Sequence, residues 1–123
     1  MLRVDVQSAP GAVKLLCTGR IVLGVEAETL RCLATARPER CLILDLRAVH
    51  AMDAAGLGLL AELHCWARER NGLLTIANPS LPVRRLLILS RLQAALTISY
   101  SAAEAVAASQ ATDDDQQQQA MTA

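Results

Sequence analysis

The segment MDAAGLG, residues 52–58, carries the most distinctive residue pattern in the chain. Asp53 precedes an apolar helical pattern, so its carboxylate is predicted to accept a hydrogen bond from a free backbone N–H of the first turn. The two alanines that follow are good helix formers. Gly56 and Gly58 are not, because each costs up to about 1 kcal/mol against alanine in a helix. We therefore expect another surface to approach this turn closely.

The spacing Gly56-x-Gly58-x-x-Ala61 also matches the dinucleotide-binding fingerprint. However, a predicted strand that ends at Leu46 leaves the first glycine about ten residues away instead of in a tight turn. The segment 70–103 contains no Asp or Glu, so it lacks the acidic residue that would bind the ribose. The sequence therefore predicts neither a dinucleotide site nor any other cofactor.

Catalysis needs a nucleophile with its base, a pair of carboxylates or a metal cluster. Asp45 and Asp53 are separated by a predicted strand-to-helix connection and are interpreted as a strand-end carboxylate and a helix cap. Neither His50 nor His64 has metal-ligand spacing from a cysteine, and no CxxC pair occurs. We predict that the protein is not an enzyme and binds no metal.

Composition limits the partner classes. Of the 123 residues, 53% are apolar, Phe is absent, and Trp and Tyr occur once each. Nucleic-acid binding is not expected, because aromatic platforms are missing and the basic residues are scattered. With no apolar run of about 18 residues and no signal peptide, the chain is predicted to be cytoplasmic and not inserted in a membrane. Its four cysteines are expected to be reduced and buried.

Hydrophobic periodicity and turn residues predict the element order β-β-α-β-α-β-α-β-α. Such alternation indicates an α/β fold. A polar, acidic stretch at 110–123 is predicted to be a disordered tail after a single domain at 1–109. The predicted strands are 2–6, 13–22, 41–46, 73–77 and 95–99, and the predicted helices are 25–37, 54–70, 81–89 with Ser80 as its cap, and a last one from Ser101.

The helix after Asp53 carries two apolar stripes. One stripe is expected to face the sheet, whereas the second could meet either a neighbouring helix or a partner protein. The stripes are Leu57, Leu60, Ala61, His64 and Cys65, and Leu59, Leu63 and Trp66.

Four features in order resemble a STAS domain, the module of bacterial anti-sigma-factor antagonists and of sulfate-transporter tails. They are the buried strand ending in Asp45, the D-x-x-G-L of residues 53–57, the turn Asn71-Gly72, and the V-R-R-L-L helix from Val83. The resemblance implies a mixed β-sheet of four to five strands flanked by about four helices. It also implies a non-enzymatic regulatory module that binds proteins in transcription control.

In antagonists of this family the helix commonly begins Asp-Ser-Ser-Gly, and the second serine is phosphorylated by a partner that is both kinase and anti-sigma factor. Ala54 and Ala55 replace both serines here, so Ala55 is a degenerate phosphorylation position. Val22 stands where antagonists often carry an aspartate near the partner surface. The partner-binding residues implied by the resemblance are Asp53, Ala54, Ala55, Gly56, Leu57 and Gly58.

Two functional interpretations follow from these departures. In the first, the protein binds a serine-kinase-type anti-sigma factor without a phosphorylation switch. In the second, it is a STAS scaffold subunit of a stressosome-like assembly or of an ABC-type lipid transport complex. A homodimer is compatible with either interpretation.

Overall fold

The computed structural model describes residues 1–100, which form a five-stranded mixed sheet and three α-helices. This confirms the predicted α/β, STAS-like class, with one helix fewer among these residues than the resemblance implies. The strands are β1 (Leu2–Ala9), β2 (Ala12–Ile21), β3 (Cys41–Met52), β4 (Leu73–Ala77) and β5 (Thr97–Ser99), and the helices are α1 (Val25–Thr35), α2 (Ala54–Glu69) and α3 (Leu81–Leu89), with a 3-10 turn at Leu92–Ala94.

The strands lie side by side in sequence order. A tight turn with Gly11 at φ 73° makes β1 antiparallel to β2, and each later pair is parallel because a helical segment intervenes. Leu15, Leu44, Ile76 and Ile98 pair in one row across the four parallel strands. One sheet face is therefore apolar across its width.

All three helices contribute to the core on that face. Side chains of Leu30 in α1, Leu60 in α2 and Leu87 in α3 are at most 1% exposed and belong to the same cluster as Leu15 and Leu44. Leu, Ile, Val and Ala fill this core, as expected for a chain without Phe. The core fixes the beginning of α2 against the sheet.

Strand β3 is twice as long as predicted, because it continues from Leu46 to Met52. Along this extension β3 twice gains a residue relative to β2; Val49, after the first irregularity, and Met52, after the second, belong to the core. The expectation that Gly56 lies about ten residues after the strand was therefore wrong. Asp53 follows β3 directly, so strand register fixes the start of α2.

Other observed element boundaries differ from the predicted ones by a few residues. Helix α1 ends at Thr35, and β5 starts at Thr97 because the 3-10 turn occupies the preceding residues. Helix α2 ends before the predicted turn, where Asn71 takes the left-handed conformation at φ 59°. The helix predicted from Ser101, the domain boundary at 109 and the tail at 110–123 lie outside the described residues.

The prediction that the Ser80 hydroxyl caps α3 was wrong. Ser80 occupies the N-cap position, but its side chain makes no capping bond and instead donates to the Val49 carbonyl. This bond ties the start of α3 to the extension of β3. It also satisfies a backbone acceptor at a strand irregularity.

Burial corrects one further expectation, for the cysteines, and decides the question left open for the apolar stripes of α2. Cys17 and Cys41 are buried, but Cys32 and Cys65 are exposed; all four are free thiols. In α2 the buried residues come from both predicted stripes, so neither stripe as a whole is left for a partner; they are Gly56, Leu59, Leu60, Leu63 and Ala67. None of the helices within residues 1–100 has the length and apolar character needed to cross a membrane.

Candidate functional site

Asp53 joins two segments at the beginning of α2. Its Oδ1 accepts a hydrogen bond from the Gly56 backbone N–H at 3.0 Å, the predicted capping bond. Its Oδ2 accepts a second from the Leu23 backbone N–H at 3.0 Å, in the loop between β2 and α1. These bonds, led by the one from Leu23, lower the pKa of Asp53 below its ordinary value. The carboxylate therefore stays ionised and holds the loop against the helix.

Gly56 is buried where α2 passes the end of β2. A Cβ atom built there would lie 2.4 Å from the Ile21 carbonyl oxygen and 2.5 Å from Met52 Cγ. The close approach predicted for this turn is thus an intramolecular one at Gly56.

Gly58 differs, because a Cβ atom built there would meet nothing within 4 Å. Gly58 and Ala54 are exposed and lie four residues apart, hence on one side of α2, whereas Ala55 and Leu57 are half-buried. The predicted site residues therefore fall into a structural group and an exposed group. Asp53 and Gly56 hold the structure together, and Ala54, Ala55 and Gly58 form a small, uncharged surface.

Sequence reasoning missed two residues beside this surface. Leu23 and Val25, in the loop bonded to Asp53, are 77% and 79% exposed. The sequence does place two large apolar residues on either side of Gly24, but this pattern is equally typical of a strand end followed by a helix start, so it did not indicate exposure. Because Asp53 binds the Leu23 N–H, the loop stays next to the α2 start.

Val22, at the position of the family aspartate, is half-buried, and its carbonyl accepts a bond from the Ala27 N–H at 3.1 Å. It begins the turn into α1 instead of adding a charge. Helix α1 is in turn tied to α2, since Arg31 Nε donates to Glu62 at 2.7 Å. The loop and the two helices thus form one continuous surface without an acidic group at Val22.

Asp45 belongs to a separate network. Only 1% exposed, it lies 3.5 Å from Lys14 Nζ and accepts bonds from the Arg47 side chain at 3.1 and 3.2 Å. Burial pushes its pKa up, but the hydrogen bonds and charges of Arg47 and Lys14 outweigh burial and lower it overall. Asp45 and Asp53 therefore do not form a carboxylate pair. Among residues 1–100 no cluster of His, Cys, Asp and Glu could hold a metal ion.

A family model described as STAS domain matches residues 3–105. An anti-sigma factor antagonist from Mycobacterium paratuberculosis is 21% identical, with a TM-score of 0.79 over 89% of this chain and 95% of that one. A proposed anti-sigma factor antagonist from Thermotoga maritima is 17% identical, with a TM-score of 0.80 over 87% and 94%. The Bacillus antagonist SpoIIAA, unphosphorylated, is 18% identical, with a TM-score of 0.66 over 85% and 92%. No curated protein matches the chain.

These likenesses concern the fold. The family match covers most of the sequence and all described elements except the first residue of β1. The chain belongs to the STAS domain family.

Proposed function

We propose that this protein is a non-enzymatic regulator of transcription that binds a serine-kinase-type anti-sigma factor without a phosphorylation switch. Binding uses a docking face made of Leu23, Val25, Ala54, Ala55 and Gly58. The proposal rests mainly on Asp53, which accepts hydrogen bonds from both the Leu23 N–H and the Gly56 N–H. These bonds hold the exposed apolar residues Leu23 and Val25 beside an uncharged helix start. Such partners act in the bacterial cytoplasm, so we place the protein there.

The chemistry of position 55 supports binding without switching. SpoIIAA has been solved in phosphorylated and unphosphorylated forms, so a related antagonist carries this modification. Ala55 has no hydroxyl group to accept a phosphate. A phosphate there would add roughly 1.5 to 2 negative charges close to the ionised Asp53. Alanine keeps the docking face permanently in its uncharged state.

Gly58 supports an external contact. Glycine inside a helix costs up to about 1 kcal/mol against alanine. At Gly56 the Ile21 carbonyl explains that cost, but at Gly58 a Cβ atom would meet nothing within 4 Å in the described chain. A partner that packs closely on this turn would account for it.

The test is affinity capture from the source cell with wild type, Ala55→Asp and Ser8→Asp. Ala55→Asp puts a charge on the docking face beside Asp53, and we expect it to weaken partner binding at least tenfold, because a desolvated, unpaired charge is costly in an interface. Ser8→Asp adds the same charge at an exposed position of β1 and is the control. We expect wild type and Ser8→Asp to retain a protein with a serine-kinase ATP-binding domain.

Binding of the recovered kinase is then measured with the purified pair. Equal affinity of wild type and Ala55→Asp would contradict the proposed docking face. The same capture addresses a second candidate, a scaffold subunit of a stressosome-like or ABC-type lipid transport assembly, which the loss of both serine hydroxyls at Ala54 and Ala55 favours. Recovery of assembly or transporter subunits by all three proteins would support the scaffold instead.

A further inference from the structure

Charge is distributed unevenly along the described chain. Residues 1–69 carry eight basic and eight acidic side chains, whereas residues 70–100 carry four arginines and no acidic side chain. In the first part arginines pair with carboxylates, as Arg31 does with Glu62. Within the described residues none of the four arginines of the second part forms an ion pair. Within residues 1–100, no carboxylate is paired with these four positive charges.

Helix α3 presents apolar residues to solvent next to these charges. Its inner side is buried through Val83 and Leu87. On the outer side Leu81, Ile88 and Leu89 are 57%, 54% and 80% exposed. At 3.6 residues per turn, this places a second apolar stripe on a helix of only nine residues.

Arginines and a tyrosine surround that stripe. Exposed Arg85 lies between Leu81 and Leu89 on the helix, and exposed Arg91 follows its end. The Arg84 guanidinium lies 4.7 Å from the centre of the Tyr100 ring and donates to the Pro79 carbonyl at 3.0 Å, so it is held at the margin. We call Leu81, Arg84, Arg85, Ile88, Leu89, Arg91 and Tyr100 the α3 face.

We propose that the α3 face binds peripherally to the surface of an anionic lipid bilayer. A short helix that lies in the interface plane buries its apolar side chains at the level of the headgroups, while arginines contact lipid phosphates. Tyrosine suits the same depth, because its ring is apolar and its hydroxyl is polar. Each arginine near an anionic membrane strengthens binding about fivefold. This surface contact involves no membrane-spanning segment.

Shape favours a bilayer over an acidic protein segment. The exposed apolar residues stand on the outer, convex side of α3, opposite the buried Val83 and Leu87. A planar lipid surface can contact the whole convex stripe at once.

The test is flotation of the full chain with vesicles of phosphatidylcholine alone and with vesicles of phosphatidylcholine and phosphatidylglycerol in equal amounts. We expect recovery with the anionic vesicles only, and loss of binding as salt is raised. Arg85→Glu should lower the partition coefficient about tenfold or more, and Leu89→Ser about fivefold. Both positions are exposed, so thermal unfolding should match wild type.

Arg3→Glu is the matched control, since it makes the same charge change at an exposed position of β1. It should leave recovery within about twofold of wild type. No recovery with anionic vesicles, or an equal loss in Arg3→Glu and Arg85→Glu, would overturn the proposal; the first result leaves the face to an acidic protein segment. Because the α3 face shares no residue with the docking face, this outcome is independent of kinase binding.

Discussion

The Asp53 carboxylate accepts a hydrogen bond from the Leu23 backbone N–H at 3.0 Å, joining residues thirty positions apart in the sequence. With its other oxygen the same side chain caps α2 through Gly56. A residue that sequence alone identifies as a helix cap is therefore also the tie between two segments of the docking face. Removing it should affect both stability and the position of the loop.

Asp53→Asn tests these two hydrogen bonds. The amide keeps one oxygen for Gly56 but presents no second acceptor to the Leu23 N–H, so we expect a lower unfolding midpoint at neutral pH. Because the folded-state pKa of Asp53 is lowered, its stabilisation is present above the unfolded value of 3.8 and is lost as pH falls through the folded value. Denaturant titrations across this range should show the two proteins converging in acid. A gap of constant size would contradict the role of the charge.

The two glycines of α2 should respond in opposite directions to the same substitution. Gly56→Ala places a methyl group 2.4 Å from the Ile21 carbonyl oxygen, so we expect a loss of about 1 to 3 kcal/mol in the free energy of unfolding. Gly58→Ala meets open space and should gain about 0.5 to 1 kcal/mol. Denaturant unfolding of both variants measures the difference. Equal effects would show that the packing around Gly56 is not as tight as described.

Local signals predicted the segments that they delimit directly. Strand β4 was predicted with its observed ends, Leu73 and Ala77, because Asn71-Gly72 precedes it and Asn78-Pro79 follows it. The start of α2 was also predicted, since Asp53 is a cap that acts within its own turn. Where the chain encodes an element through adjacent residues, the sequence is sufficient.

Features that depend on distant residues could not be predicted. The extension of β3 was missed because its irregularities against β2 remove the simple alternation after Leu46. The bond that holds the exposed Leu23 beside the start of α2 comes from Asp53, thirty residues away, and no local pattern reports it. Ser80 was misread for the same reason, as its acceptor is the distant Val49 carbonyl.

The free thiols give a test of burial that does not require a partner. Burial, followed by the charge of Asp45, raises the pKa of Cys17 to about 12, whereas Cys32 and Cys65 are exposed. A thiol reagent should modify two cysteines rapidly in the native protein and the other two only on unfolding. In the variant with Cys32→Ser and Cys65→Ser, the rapid phase should be absent. Rapid modification of four thiols would contradict the described core.

Leu23→Ser together with Val25→Ser tests the apolar part of the docking face. Both side chains are largely exposed, so we expect the free energy of unfolding to change by no more than about 0.5 kcal/mol per site. Binding to the captured kinase should weaken at least about tenfold, because exposed apolar residues gain most when an interface covers them. Val6→Ser, on exposed β1, is the matched control. Unchanged binding would move the interface away from this loop.

Ala55→Ser tests whether a kinase bound to the docking face can reach the degenerate phosphorylation position. The variant regains a hydroxyl two residues after Asp53, and we expect the captured kinase with ATP to add one phosphate there, detected by mass spectrometry of the intact protein. The added charge next to the ionised Asp53 should then release the complex, whereas wild type stays bound. Ala54→Ser offers a hydroxyl at the neighbouring, more exposed position and should remain unmodified. Phosphate on the wild-type protein would refute binding without a switch, and an unmodified Ala55→Ser variant would show that the kinase does not reach this turn.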